Sequence, residues 1–174
     1  SYENINNIII EIKDEIKLEN YYFSEMKYEK MKIYMNYYNS NLDINECGKY
    51  SLQNIYGSFF KKGVYNDLDI IQNNIDEIYD FFKQKIKELS NFIEKNSDFK
   101  KMENNDRDGY FLYTTQKRSK ILFENLNKDK STKNVYETKK YTGTNIKIMS
   151  EELQKKSQSL VYYKEKIKNL TKEK

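Results

Sequence analysis

One apolar pattern constrains the fold of this chain more than any other feature. It recurs at intervals of 3, 4, 3, 4, 4, 3 and 4 residues through Leu68, Ile71, Ile75, Ile78, Phe82, Ile86, Leu89 and Ile93. This spacing is close to that of a coiled-coil seam and predicts a helix over 67–95, about 40 Å long at about 1.5 Å per residue. Asp67 and Asp69 stand at its start, where the helix macrodipole favours acidic side chains. Such a long stripe needs a partner to cover it.

A matching stripe near the end of the chain can provide that cover. It consists of Met149, Leu153, Leu160, Tyr163, Ile167 and Leu170. Ser150, followed by two glutamates, is a signal for the start of this returning helix. Antiparallel pairing of the two helices brings residues 95 and 149 together. Residues 96–148 must then form an excursion from the far end of the pair.

The excursion has the composition of turns and strands. Residues 104–109 (NNDRDG) are typical of a turn, and the aromatic and β-branched run 110–115 predicts the first strand of a small sheet. Residues 135–148 predict another strand or two, interrupted at Gly143. The polar segment 124–134 (ENLNKDKSTKN) is interpreted as a mobile loop.

The predicted fold class is α+β and mostly α, with elongated antiparallel helices that carry a small antiparallel β subdomain at their far end. The predicted segments are the outgoing helices (1–95), a β-rich part (96–148) and the returning helix (149–174). An earlier helical stripe runs from Ile5 to Ile16, and 42–63 is expected to form short helices and turns. The mean hydropathy of −0.99, with 33% charged residues, suits narrow helix pairs better than a thick core.

Positive charge is concentrated in the predicted β-rich part. From residue 97 to 148 there are twelve basic and seven acidic residues, an excess of five, whereas the whole chain has a net charge of +4. A basic tip on a neutral stalk suits sequence-independent binding of phosphates, although the same lysines could simply keep an exposed sheet soluble. The candidate phosphate contacts are Lys117, Arg118, Lys120, Lys128, Lys130, Lys133, Lys139 and Lys140.

Several absences narrow the chemistry. The chain has no histidine, and its single cysteine, Cys47, allows neither an internal disulfide nor a thiolate metal cage. There is no phosphate-loop motif, no signal peptide, and no apolar run long enough to span a membrane. The chain also begins and ends in the middle of a pattern. We therefore expect an intracellular, non-enzymatic fragment of a longer protein, with no metal or cofactor of its own.

Three stretches in this order resemble the lever and clamp region of the MutS mismatch-recognition ATPases. FFKKGVYNDLDII (59–71) is similar to the segment that starts a lever helix in that family. DGYFLYTT (108–115) resembles a clamp strand, and TGTNIKIMSEELQKKSQSLVYYKEKI (142–167) resembles a Thr-x-x-Asn motif leading into the returning helix. The resemblance covers residues 59–174. Ser150 and its neighbours stand where the family usually has proline, and 124–134 resembles an insertion, which suggests a divergent viral or organellar branch.

The resemblance implies a clamp that touches the backbone of double-stranded DNA from outside, with two such arms, one per subunit of a homodimer, crossing over the duplex. ATP and Mg²⁺ would be bound elsewhere in the parent protein, and the arm would transmit motion to that ATPase domain. Asp106 and Asp108 make the tip turn a poor phosphate contact, so the later lysines are favoured. The alternative is a non-enzymatic helical scaffold or adaptor, which would bind a partner protein through its coiled-coil stripes.

Overall fold

The computed structural model describes most of the chain, namely residues 25–51, 55–93 and 102–174. Its elements follow one another in the order α1 (Glu25–Asn41), α2 (Ile44–Cys47), α3 (Asn66–Asn91), β1 (Met102–Asn105), β2 (Gly109–Thr115), α4 (Gln116–Lys128), β3 (Glu137–Lys140), β4 (Asn145–Met149) and α5 (Glu151–Glu173). None of the helices in these ranges is both long enough and apolar enough to cross a membrane. The predicted helical stripe from Ile5 to Ile16 lies outside the described residues.

Helices α3 and α5 form the predicted antiparallel pair. Lys85 Nζ lies 3.4 Å from the carboxylate of Glu152 near one end, and Lys174 Nζ lies 3.1 Å from that of Asp67 near the other. The two stripes bury each other, and the side chains that are at most 4% exposed are Leu68, Ile71, Ile75, Ile78, Phe82, Leu89, Leu153, Leu160 and Ile167. The spacing of the apolar residues therefore predicted both helices and their pairing.

The ends of these two helices follow local rules. Ser150 caps the start of α5, as predicted, and its hydroxyl accepts a hydrogen bond from the Leu153 N–H at 3.2 Å. Helix α3 ends at Asn91, earlier than predicted, because the chain tightens into a turn in which the Phe92 N–H donates to the Leu89 carbonyl at 3.2 Å. Residues 94 and 95 of the predicted helix lie outside the described residues.

The four strands form one antiparallel sheet in the order β1-β2-β4-β3. This confirms a fold that is α+β, mostly α, with a small antiparallel sheet. Two details of the prediction were wrong. Asn104 and Asn105 belong to β1, where they pair with Tyr110 and Gly109, so the turn contains only 106–108. The run 110–115 is consequently in the second strand of the sheet.

Helix α4 was not predicted, and it occupies the basic segment after β2 together with part of the supposed loop 124–134. The Thr115 side chain caps its start, and Ser119, Leu122 and Leu126 bury one side of it. Their intervals of three and four residues are those of a helix, but lysines and asparagines surround them and weaken the pattern. The assignment of 124–128 to a loop was therefore wrong.

The sheet and the helices share one apolar core. Leu112 of β2 and Ile148 of β4 are neighbours on one face of the sheet and are 0% and 1% exposed. They belong to the same buried cluster as Leu122 of α4 and the stripes of α3 and α5. Strand β2 packs directly on α5. The sheet thus lies against the helix pair and is not an independent unit.

Candidate nucleic-acid interface

Three of the predicted phosphate contacts lie at the start of α4. Thr115 Oγ1 accepts a hydrogen bond from the Arg118 N–H at 3.5 Å and so caps the helix. Lys117, Arg118 and Lys120 are exposed, and the first turn contains no acidic residue. Cations near a helix start oppose the macrodipole, whereas the unpaired backbone N–H groups there attract anions. Positive potential is therefore concentrated at a place that suits a phosphate group.

The helical geometry places three cations of α4 on one side of the helix. At about 100° per residue, Lys117, Lys120 and Lys128 fall within about 80° of one another, and Glu124 lies between them. Arg118 points about 100° away from Lys117. Three of the predicted contacts therefore share the exposed side of the helix, and Arg118, about 80° from Lys128, lies at the edge of that side towards the buried residues.

Lys130 and Lys133 are exposed in the connection between α4 and β3, which is organised by Asp129. The Asp129 carboxylate accepts hydrogen bonds from the Ser131 N–H at 2.9 Å and the Ser131 hydroxyl at 2.8 Å. The backbone hydrogen bond from Ser131 lowers the pKa of Asp129. The Lys133 N–H donates to the Asp129 carbonyl at 3.1 Å. These bonds form a defined turn that presents two lysines to solvent.

Lys139 and Lys140 lie on the edge strand β3 and point to opposite faces of the sheet. Lys139 pairs with Lys147 of β4, and Lys140 pairs with Ile146. Alternate residues of a strand share a face, so Lys140 lies on the face that Ile148 turns towards the core. Lys139 lies on the outer face. These two predicted contacts consequently cannot meet the same phosphate from the same side.

The outer face of the sheet carries a group that was missed as a site from the sequence, which we name the Lys147 cluster: Asp108, Phe111, Tyr113, Tyr141 and Lys147. The Lys147 ammonium group forms an ion pair with Asp108 and lies 3.7 Å from the ring centroid of Phe111 and 4.8 Å from that of Tyr141. The Tyr141 ring is 5.1 Å from Phe111 and 5.8 Å from Tyr113. Two aromatic rings and one carboxylate thus surround the ammonium group, and the Tyr113 ring packs against both of those rings.

The ion pair changes the interpretation of the tip turn. The hydrogen bond from Lys147 to the Asp108 carboxylate holds the pKa of Asp108 below the ordinary value of 3.8. Asp108 thereby compensates a lysine whose side chain is only 5% exposed. Asp108 therefore acts as a counter-ion within the chain. Strand alternation could have placed Phe111 and Tyr113 on one face, but no sequence signal joins Asp108 to a residue 39 positions away.

The predicted contacts differ from Lys147 in their electrostatic environment. Within residues 25–51, 55–93 and 102–174, none of the seven candidate lysines forms an ion pair with a carboxylate group. Arg118 takes part in an interaction within the chain. The exposed ammonium groups of the seven lysines are therefore accessible to an external anion.

A comparison with curated proteins found similarity to a protein of Acanthamoeba polyphaga mimivirus that is named as a homolog of the DNA mismatch repair protein MutS. The two are 32% identical over 100 residues, which is 53% of this chain and 9% of the viral protein. No protein-family model matches the chain. This chain therefore corresponds to a small part of its relative's length, and the similarity supports a distant, MutS-like relationship.

Proposed function

We propose that this chain is the lever and clamp segment of a MutS-like mismatch repair protein, and that it contacts the backbone of double-stranded DNA without reading its sequence. The antiparallel pair of α3 and α5 is the lever. The sheet, with α4 and the turn after it, is the clamp. The segment is not catalytic in this proposal, since ATP and Mg²⁺ belong to a distant ATPase domain of a homodimeric parent, to which the lever transmits motion.

One observation carries this proposal, namely the charge at the start of α4. Helices α3 and α5 begin with acidic residues, Asp67 and Asp69 in α3 and two glutamates in α5, as the macrodipole favours. Helix α4 has no acid in its first turn and instead carries Lys117 and Lys120 near its start. This arrangement costs stability unless an anion binds there. Phosphate groups of a duplex supply such anions in a regular array.

The salt dependence of duplex binding by the full-length parent tests the proposal. The variant is Lys117→Gln/Lys120→Gln/Lys128→Gln, which neutralises one exposed side of α4. The slope of log K against log salt is negative, and each lost phosphate contact reduces its magnitude by about 0.9. The magnitude should therefore decrease by up to about 2.7. Fluorescence anisotropy with duplexes of two unrelated sequences measures the slope and shows whether both are affected equally.

The matched control is Lys62→Gln/Lys87→Gln/Lys166→Gln, which removes the same charge from exposed positions outside the clamp. Its slope should stay close to that of the wild type. An equal loss in both triple variants would show that only net charge matters, and an unchanged slope in the α4 variant would refute α4 as the contact surface. Charge reversal of Lys128, Lys130 and Lys133 extends the same test to the turn after α4.

The scaffold alternative retains one favourable observation. Its predicted stripes on α3 and α5 bury each other and are not available to a partner. Helix α1, however, exposes Ile33, Tyr34, Tyr37 and Tyr38 by 50–65%. A scaffold using this surface would self-associate or bind a protein and would ignore DNA. Sedimentation with and without a duplex, at two salt concentrations, separates the two functions.

A further inference from the structure

The hairpin formed by β1 and β2 approaches α5 very closely at Gly109. The Tyr110 N–H donates a hydrogen bond to the Ser157 hydroxyl at 2.7 Å, and Ser157 is only 4% exposed. Gly109 has a φ of +65°, and a Cβ atom at this position would lie 2.6 Å from Ser157 Oγ. A glycine is therefore required both by the backbone conformation and by the space left beside α5.

Lys164 of α5 lies beside this contact and touches residues of both α3 and β2. Its Nζ is 5.2 Å from the ring centroid of Tyr79 on α3 and 5.3 Å from that of Tyr110 on β2. The two tyrosine rings are 6.3 Å apart and nearly perpendicular. Burial alone would lower the pKa of Lys164, but its interactions with the phenol groups of Tyr110 and Tyr79 outweigh this and raise the pKa. The lysine thus links both helices of the pair to the sheet.

A second attachment holds the other end of β2. The strand runs from Gly109 to Thr115, a length of about 20 Å at about 3.4 Å per residue. Thr115 caps α4, and the Asn125 side chain of α4 donates to the Phe92 carbonyl, just beyond α3, at 2.7 Å. Strand β2 is therefore fixed to the helix pair at both ends.

We infer that Gly109, Ser157 and Lys164 are positioning residues that couple the orientation of the sheet to the α3–α5 pair, so that the clamp and the lever move as one rigid body. Without the attachment at Gly109, only the shared apolar core and the link through α4 would hold the sheet, and we expect it to sample a wider range of angles to the helix pair. With both, a rotation of the helix pair carries the basic surface of the clamp with it. This inference deepens the proposed function and rests on it for its biological meaning, although the coupling itself can be measured without DNA.

Distances between two spin labels test the coupling in the chain itself. The labels are placed on cysteines at the exposed positions Thr138 of β3 and Lys172 near the end of α5, in a Cys47→Ser background. We expect one narrow distance distribution for the otherwise unchanged chain. In Ser157→Ala/Lys164→Met the distribution should become at least about twofold wider, because the sheet samples more orientations. Circular dichroism should show that the helix content is retained.

The matched control is Ser159→Ala/Lys166→Met, which makes the same chemical changes on α5 away from the hairpin contact. Its distribution should stay as narrow as that of the parent. Equal widths in the two double variants would overturn the inference. If Ser157→Ala/Lys164→Met loses its helices, the single substitution Lys164→Gln replaces it. Hydrogen exchange of the Tyr110 amide in the unsubstituted chain gives a second measurement. Fast exchange of that amide in the folded chain would also overturn the inference.

Duplex affinity of the full-length parent carrying Ser157→Ala/Lys164→Met distinguishes the coupling from its proposed use. A wider distance distribution together with weaker binding supports both the junction and the clamp. A wider distribution with unchanged binding leaves the junction in place and refutes its role in presenting the clamp to DNA. A narrow distribution refutes the junction whatever the affinity.

Discussion

Replacing Asp108 with asparagine removes a single negative charge from the Lys147 cluster and hardly alters its shape. The Asp108 carboxylate is the charged partner of a lysine whose side chain is 5% exposed, while that of Asp108 is 27% exposed. After the substitution, the Lys147 ammonium group retains the faces of Phe111 and Tyr141 but has no anion beside it. Lys139 lies directly across the strand pair, and this second positive charge adds to the cost.

The expected loss of stability follows from this partial burial. Removing one partner of a fully buried ion pair costs about 3–5 kcal/mol. Solvent reaches the Asp108 side of this pair, and the aromatic rings keep a cation–π contribution of about 1–2 kcal/mol for the lysine. We therefore expect Asp108→Asn to lower the free energy of unfolding by about 2 kcal/mol, about 4–8 °C in melting temperature for a chain of this size.

Urea unfolding followed by circular dichroism measures this loss, and its pH dependence tests the cause. Because the folded-state pKa of Asp108 lies below 3.8, the stabilisation is fully present above pH 3.8 and is lost as the pH falls through the lower, folded-state value. The difference between wild type and variant should therefore stay constant from about pH 5 to 8 and shrink below about pH 3.8.

Lys147→Met provides the matched comparison, because it removes the buried cation and leaves Asp108 in contact with water. Its cost should be below about 1 kcal/mol, since a similar apolar side chain remains against the rings. The double variant should be more stable than Asp108→Asn alone. A loss within about 0.5 kcal/mol for Asp108→Asn, the range of ordinary surface substitutions, would refute the role of Asp108 as a required counter-ion.

Two further predictions concern α4. Thr115→Ala removes the capping hydroxyl and should cost about 1 kcal/mol, measured as a fall of about 2–4 °C in melting temperature; no shift would mean that the cap contributes nothing. Leu122→Ala opens a cavity at a side chain that is 0% exposed and should cost about 2–5 kcal/mol in urea unfolding. The control Val161→Ala truncates an exposed side chain and should cost under about 1 kcal/mol.

The helix pair could be predicted because apolar residues recur at helical intervals along α3 and, with one gap at Ser157, along α5. Leu68, Ile75 and Phe82 are members of a stripe whose period can be read without knowing its partner. Strand β2 was similarly visible, since its aromatic and β-branched residues contrast with the helices on either side. These elements carry most of the apolar residues of the buried core, which explains why the fold class could be predicted.

Strand β1 and helix α4 were missed because their local sequences oppose their structures. Residues 102–105 (MENN) have little preference for a strand and become one only by pairing with β2. Helix α4 buries one side through Leu122 and Leu126 within a segment rich in lysine and asparagine. The Lys147 cluster could not be predicted for a different reason, since its contacts join residues that only the sheet register brings together.

The position of Lys117 separates a phosphate contact from a lysine that merely keeps the surface soluble. Near the start of α4 this cation opposes the macrodipole, so Lys117→Glu should stabilise the free chain by about 0.3–1 kcal/mol. The same substitution should weaken duplex binding by the full-length parent and lower its salt slope by about 0.9 or more. A solubility role predicts the gain in stability without the loss of affinity. Lys62→Glu, at an exposed turn position outside the helices, should show neither effect beyond its change in net charge. Measured together, melting temperature and anisotropy give opposite signs only if α4 presents its cations to DNA at the expense of its own stability.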